Sequence, residues 1–499
     1  MRRRPAILTA TPAAKKALFD QARSHRAAGR TAAAMADIQR LLLSEPNRAE
    51  LHLELSHSAF DHGDTELSLS ALETALSLAP KDTRLWMIAA ARYQRLNRPD
   101  AALTALDKAS ALDPKALAPK VEKAHYLQIL GDFEAADRAF RALLKRHPEE
   151  TEIYRMALVT RKLGKGDPLI RQMLALWTNP RLNDYGRVEI GFALAKAMAD
   201  IGAQDKVFGF LRQANAAQRR LAPYDSKARR IKWQADLASQ DDLPASPLPL
   251  PEEAAQLPRP VFVCGMPRSG TTLVEQIIAA HSTATAGGEM GHAMRLAVQL
   301  LGQDGNLPRL ADLPPARLQD WAMAYRRLSM RDTGAKTGVI TDKSMQTHRI
   351  FGLIHHALPG VRLIVVHRDP RDIALSIYRN RFKDDTHRYG NDLADIADEI
   401  RLFKESVAYW KARLPGVIHE IRYEHLVSDP EPQARALIAA AGLDWEPGCL
   451  SFHESKGAVQ TLSLAQVRQP IHAGRRAAWM AFESDMQPFI DAWGDTGWD

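Results

Sequence analysis

Between Cys264 and Leu273 the chain reads Gly265-Met266-Pro267-Arg268-Ser269-Gly270-Thr271-Thr272, a turn bounded by two glycines and dense in hydrogen-bond donors. Backbone N–H groups, three hydroxyls and the planar fork of Arg268 can all donate, and together they make an anion site. Placed before a helix, such a turn takes a phosphate-like group on its free amides. The glycine spacing matches the GxxxxGK[ST] nucleotide loop, but Thr271 stands where that loop needs its lysine. The case for ATP chemistry, and so for a kinase, weakens accordingly, and the cation becomes Arg268. The competing reading is an ordinary strand-turn-helix connection with a capping threonine.

Three further places carry candidate groups. Arg368 and Ser376 lie eight residues apart, about two helical turns, and could hold one phosphate from two directions. Otherwise they belong to an N-cap network around Asp369 and Asp372 with a solvent-facing serine. Lys343 ends the run Gly338-Val339-Ile340-Thr341-Asp342, a short strand whose C-terminal edge is where open α/β sheets bind ligands. By itself a strand-end lysine is a solvated charge. Glu289 follows Gly287-Gly288 and precedes a helical pattern, the usual place of a cap. Tyr423 ends an apolar run from Val417, and is either a nucleotide neighbour or a buried strand-end tyrosine.

Positioning these groups needs a scaffold, and the pattern supplies one. Val261-Phe262-Val263-Cys264 and Val361-Arg362-Leu363-Ile364-Val365-Val366 are short, β-branched apolar runs, the signature of buried parallel strands. Helical patterns alternate with them, so a mainly parallel α/β sheet with helices on both faces is expected. Residues 314–330 read as a surface helix. Leu393, Ile396, Ile400, Phe403, Val407, Trp410 and Leu414 alternate by three and four and read as a core-facing helix.

Taken together, PRSGTT, the Thr341-Asp342-Lys343 element, the Arg368/Ser376 spacing and the Gly288-Glu289 pair resemble sulfotransferases that use 3′-phosphoadenosine 5′-phosphosulfate (PAPS). Among these the protein-tyrosine sulfotransferase branch is nearest. The resemblance implies a P-loop-like sulfotransferase fold with PAPS as cosubstrate and no metal. Pro267, Arg268, Ser269, Gly270, Thr271 and Thr272 would hold the 5′-phosphosulfate, Arg368 and Ser376 the 3′-phosphate, and Tyr423 would approach the nucleotide. Glu289 would be the general base, with Lys343 and Arg268 completing the catalytic set. The chain departs from the family after Lys343, where Ser344-Met345-Gln346-Thr347 replace Met-Pro and then Asn. It departs again before Trp479, where Arg475-Arg476-Ala477-Ala478 stand in place of a serine and a basic residue. Gln466-Val467-Arg468-Gln469-Pro470 reads as a loop closing over the nucleotide.

The N-terminal half is a different object. Pro46, Pro80, Pro114 and Pro148 are spaced by 34 residues, as are the turn residues Gly29, Gly63, Asn97 and Gly131. Small residues at Ala34, Ser68, Ala102 and Ala136 keep the same period. Two helices per 34 residues with this punctuation resemble the tetratricopeptide repeat. The expected organisation is helical repeats with capping helices over 1–237, a proline-rich linker over 238–257 and the sulfotransferase domain over 258–499. Such a solenoid offers a groove for a peptide or partner protein. A net charge of +8 over 499 residues, without a long basic run, gives no case for nucleic acid. No apolar run is long enough for a transmembrane segment. Two cysteines make no disulfide framework, so a cytoplasmic location is expected. The alternative to an enzyme is a repeat scaffold carrying a nucleotide-binding but inactive transferase domain.

Overall fold

The structure, a computed structural model, describes residues 11–249, 252–302, 305–382, 386–454 and 477–498. The repeats begin with four helix pairs: α1 (Pro12–Ala27) and α2 (Thr31–Leu42), α3 (Ala49–His62) and α4 (Thr65–Leu78), α5 (Thr83–Arg95) and α6 (Pro99–Leu112), α7 (Ala118–Leu130) and α8 (Phe133–Arg146). The turns inside the pairs need a left-handed residue, and Gly29, Gly63 and Gly131 supply it, with Asn97 adopting the same conformation at φ 52°. Ala34, Ser68, Ala102 and Ala136 are fully buried, so the paired helices approach closely at each of them. The array then loses its regularity through α9 (Thr151–Leu158) and α10 (Pro168–Trp177). Longer capping helices follow, α11 (Asp184–Asp200), α12 (Gln204–Leu221) and α13 (Ser226–Ala238).

The C-terminal domain is a five-stranded parallel sheet in the order β2-β3-β1-β4-β5. Its strands are β1 (Arg259–Gly265), β2 (Ala284–Ala286), β3 (Val339–Asp342), β4 (Arg362–His367) and β5 (Ile418–Arg422). The connecting helices are α14 (Thr271–Ala279), α15 (His292–Ala297), α16 (Pro315–Thr333), α17 (Phe351–Ala357), α18 (Pro370–Tyr378) and α19 (Leu393–Arg413). Then come α20 (Tyr423–Ser428), α21 (Pro430–Ala440) and α22 (Gln487–Trp493). Alternation along the strands sends Val261, Val263, Ile364 and Val366 to the face packed by Ile277, Ile278, Leu437 and Ile438. Phe262, Cys264, Leu363 and Val365 face the other way, into the core that holds Tyr325, Phe351 and Trp410. The sheet is thus covered on both faces, which is why its strands are continuously apolar.

Residues 239–249, part of the 238–257 stretch expected as a linker, are hydrogen-bonded to the C-terminal domain. Gln240 Nε2 donates to Arg349 O (2.8 Å) and Leu248 N to His356 O (2.8 Å), while His355 Nε2 lies 3.0 Å from Ala245 O, so this stretch docks on the C-terminal domain. Helix α16 is not a surface helix, because Trp321, Tyr325 and Leu328 are buried on one side. On its other side Arg331 stacks 3.7 Å from the Phe60 ring and donates to Phe60 O. One apolar core runs from Phe140 and Leu194 through Phe208 to Phe262, Trp410 and Trp493, joining the two halves. Among the described residues no helix is long and apolar enough to cross a membrane. Nor are three His, Cys, Asp or Glu grouped there to hold a metal ion.

Candidate active site

The loop after β1 has the backbone of an anion site. Arg268 takes φ +72°, a conformation that costs a side-chain-bearing residue about 1–2 kcal/mol. The Arg268 carbonyl is gripped by Arg368 Nη1 at 3.1 Å. Gly270, at φ +106°, is the N-cap of α14 and brings no side chain to occupy the first-turn amides. A Cβ there would also lie 2.5 Å from the Tyr423 ring, so only glycine lets that ring reach the loop. Ser269 Oγ is buried and has no hydrogen-bond partner among the described residues. An orphaned hydroxyl beside uncapped amides fits a bound oxyanion.

Arg368, Ser376 and Tyr423 join this loop in one cluster. Arg268 Nε donates to Ser376 Oγ at 3.0 Å, so the serine is turned toward the loop and not to solvent. The Arg368 guanidinium lies over the Tyr423 ring at 4.6 Å and 3.4 Å from Asp372. The capping role weighed for the neighbouring acids also exists, with Asp369 accepting from Arg371 N at 2.8 Å. Asp372 instead accepts from Ala477 N (3.0 Å) and Trp479 N (3.2 Å), anchoring the end of the segment expected to cover the nucleotide. Gln466–Pro470, Arg475 and Arg476 lie outside the described residues.

A second cluster lies at the ends of β3 and β2. Lys343 is fully buried, and its Nζ donates to Glu289 Oε1 at 2.7 Å, with the glutamate side chain half exposed. The strand-end lysine is therefore an inward-facing, paired charge. The Glu289 turn is held from several sides. Gly287 N donates to Thr341 O (3.0 Å), Gly288 N to Glu275 Oε1 (2.8 Å) and Lys343 N to Gly288 O (2.9 Å). Gly291 N donates to Ser344 Oγ at 2.8 Å.

Several of these residues carry no sequence signal. Glu275 on α14 reads as one more helix-surface acid but is only 2 % exposed. Burial raises its pKa, while the Lys343 charge, the Gly288 amide and the Thr341 hydroxyl (3.0 Å) pull it back. Asp342 is pushed up to about 6 by burial, against hydrogen bonds from Ser344 and from Tyr325 Oη (3.1 Å). Ser344, the first departure from the family pattern, thus has a task, bridging Asp342 to the Glu289 turn. From the repeats, Arg95 pairs with Asp332 at 2.6 Å and donates to Met290 O at 3.3 Å.

Comparison with known proteins places both halves in known families. Residues 260–447 match the model of the sulfotransferase family, and residues 19–83 and 53–116 match a tetratricopeptide repeat model. An uncharacterised protein of Aquifex aeolicus is 28 % identical over 379 residues, covering 74 % of this chain and 49 % of that protein, so the chain spans about half of its length. Protein-tyrosine sulfotransferase 2 of Gallus gallus is 22 % identical over 252 residues, covering 44 % of this chain and 62 % of that protein. The sulfotransferase domain of the Synechococcus PCC 7002 olefin synthase aligns with 50 % of this chain and 98 % of its own, at 17 % identity and a TM-score of 0.33. With its five-stranded parallel sheet and the family match over 260–447, the C-terminal half carries a sulfotransferase-family domain, set behind an array of tetratricopeptide repeats.

Proposed function

We propose that the chain is a PAPS-dependent sulfotransferase acting on a hydroxyl, with a peptide or protein tyrosine as acceptor and the repeats recruiting the acceptor or a partner. The observation that carries this reading is the buried Lys343 paired with the half-exposed Glu289 at the sheet edge that also bears the anion loop. PAPS supplies an activated sulfuryl group on a phosphate leaving group. In the proposed assignment Pro267, Arg268, Ser269 and the amides of Gly270–Thr272 hold the 5′ end. Arg368 and Ser376 take the 3′-phosphate, with Tyr423 beside it. Glu289 accepts the acceptor's proton as the new S–O bond forms. Lys343 keeps two N–H donors beyond the one given to Glu289, enough to meet charge on the oxygen that leaves. A phenol, with a pKa near 10, gives up its proton more readily than a sugar hydroxyl. The assignment needs no metal. Both cysteines, Cys264 and Cys449, are buried and unpaired, which fits a reducing cytoplasm.

The test is incubation of the purified chain with radiolabelled PAPS and separate peptide, glycan and lipid pools. Label in a tyrosine-containing peptide is the expected result. Label confined to glycan or lipid would overturn the acceptor assignment, and no transfer with tight bisphosphate binding would overturn the enzyme.

A further inference from the structure

We infer that Arg95, a residue of the repeats, positions the Glu289 turn for the transfer reaction, so that the repeats complete the active site. The inference rests on the reading of Glu289 as the base. Residues 287–291 have no regular structure of their own and depend on outside anchors. Four of these come from the sulfotransferase domain: Thr341, Glu275, the Lys343 amide and Ser344. The carbonyl of Met290, adjacent to Glu289, is held by Arg95 across the boundary between the two halves.

Arg95 is itself fixed. Its guanidinium pairs with Asp332 on α16, whose side chain is 6 % exposed. Asp332 is also gripped by Arg331 Nε at 2.7 Å, and His292 Nε2 approaches it to 2.7 Å. His292 is the first residue of α15, directly after the turn. Arg295 donates to its Nδ1 at 3.0 Å, which places the ring proton on Nε2, toward Asp332. Asp332 therefore ties the start of α15, the end of α16 and the end of α5 to one point. The Phe60 ring, sandwiched between Arg331 at 3.7 Å and Arg92 at 3.9 Å, locks the same contact from the repeat side. A general base must lie within hydrogen-bond reach of its proton, and a misplacement of about 1 Å can cost about a hundredfold in rate. A guanidinium holding both a buried carboxylate and the neighbouring carbonyl limits that displacement.

The experiment compares the full-length chain with Arg95→Ala and Arg95→Lys, all loaded with adenosine 3′,5′-bisphosphate. Asp332 keeps Arg331 and His292 in both variants, so the fold should survive. Amide hydrogen exchange needs no acceptor, so it tests the positioning apart from the proposed chemistry. Exchange at Gly287, Gly288 and Gly291 should rise about tenfold in Arg95→Ala, with Val274 and the rest of α14 unchanged and bisphosphate Kd within about twofold. Both contacts come from Arg95 Nη2; Arg95→Lys keeps a cation but loses the planar guanidinium that carries this nitrogen to both partners, and should fall between. With radiolabelled PAPS and a tyrosine-containing peptide, the single-turnover rate should drop about ten- to a hundredfold in Arg95→Ala. Unchanged exchange in the turn overturns the inference whether or not transfer is detected. So does exchange that rises equally across the domain, which would mark a general docking contact. Raised exchange in the turn with a wild-type transfer rate overturns the link to the reaction. If wild type transfers nothing, the base assignment fails while the exchange result still decides the positioning.

Discussion

At the scale of the residue, the two clusters should separate cleanly in kinetics. Lys343 and Glu289 sit together at the ends of β3 and β2 and the Arg368–Tyr423 stack at the ends of β4 and β5, with the loop after β1 between them in strand order. Contacts made mostly in the transition state lower kcat more than they weaken ground-state binding. Lys343→Met and Glu289→Gln should therefore leave bisphosphate Kd near wild type. Glu289→Gln should cut single-turnover transfer by about a hundred- to ten-thousandfold. Arg368→Ala should raise the bisphosphate Kd first, because a phosphate it holds is charged throughout the reaction. Calorimetry paired with single-turnover assays reads both quantities, and a wild-type rate in Glu289→Gln would leave that residue only the ion-pair partner of Lys343. The types of these residues were legible in the sequence. The partner of Lys343 was not, since 54 residues separate it from Glu289 and only sheet pairing of β2 with β3 brings them to one edge.

At the scale of the element, α16 changed character most. Its apolar residues predict a helix, but a helix between two domains and a helix facing water can share one amphipathic pattern. What decides is the polar side, where Arg331 and Asp332 find Phe60 and Arg95. Burial disfavours the Asp332 charge, but the His292 hydrogen bond and the charges of Arg331 and Arg95 prevail and hold its pKa down to about 2. The unfolded carboxyl takes its proton near pH 4. The folded chain thus binds fewer protons between about pH 4 and pH 2, and the stability this carboxylate contributes above pH 4 is lost as pH falls through that window. The loss should be on the order of 2 kcal/mol. Urea unfolding from pH 5 to pH 2 should show it in wild type, and Asp332→Asn should lack that part of the acid limb. An identical acid limb in the variant would contradict the assignment.

At the scale of the whole molecule, the proline-rich stretch is a poor place to cut. Phe208 on α12 stacks 5.7 Å from Tyr378 and lies tilted 5.3 Å from Phe482, and Arg229 on α13 pairs with the buried Glu399 at 2.6 Å. A chain of residues 258–499 would expose those faces and leave Glu399 without its cation, a large penalty for a buried charge. It is expected to aggregate or melt well below the full protein. A chain starting near residue 180 retains α11–α13 and should fold and bind bisphosphate, yet transfer slowly for want of Arg95. Thermal melts and calorimetry on the two truncated chains check this, and a stable, nucleotide-binding 258–499 would contradict it.

The sequence by itself determined what is local or periodic. A turn of 34-residue period with its left-handed positions, a strand-turn-helix anion loop and the alternation of strands with helices are each written in neighbouring residues. They need no tertiary information, because steric and hydrogen-bonding preferences act over a few residues. Only the tertiary structure decided which charges are buried together. Glu275, Asp342, Asp332 and Arg95 look like ordinary surface charges in the sequence, and their meaning comes from partners up to 237 positions away. Burial and pairing are properties of the packed chain, set by which helix covers which strand end. The contact between the repeats and the Glu289 turn is for that reason a fact of packing that no stretch of sequence announces.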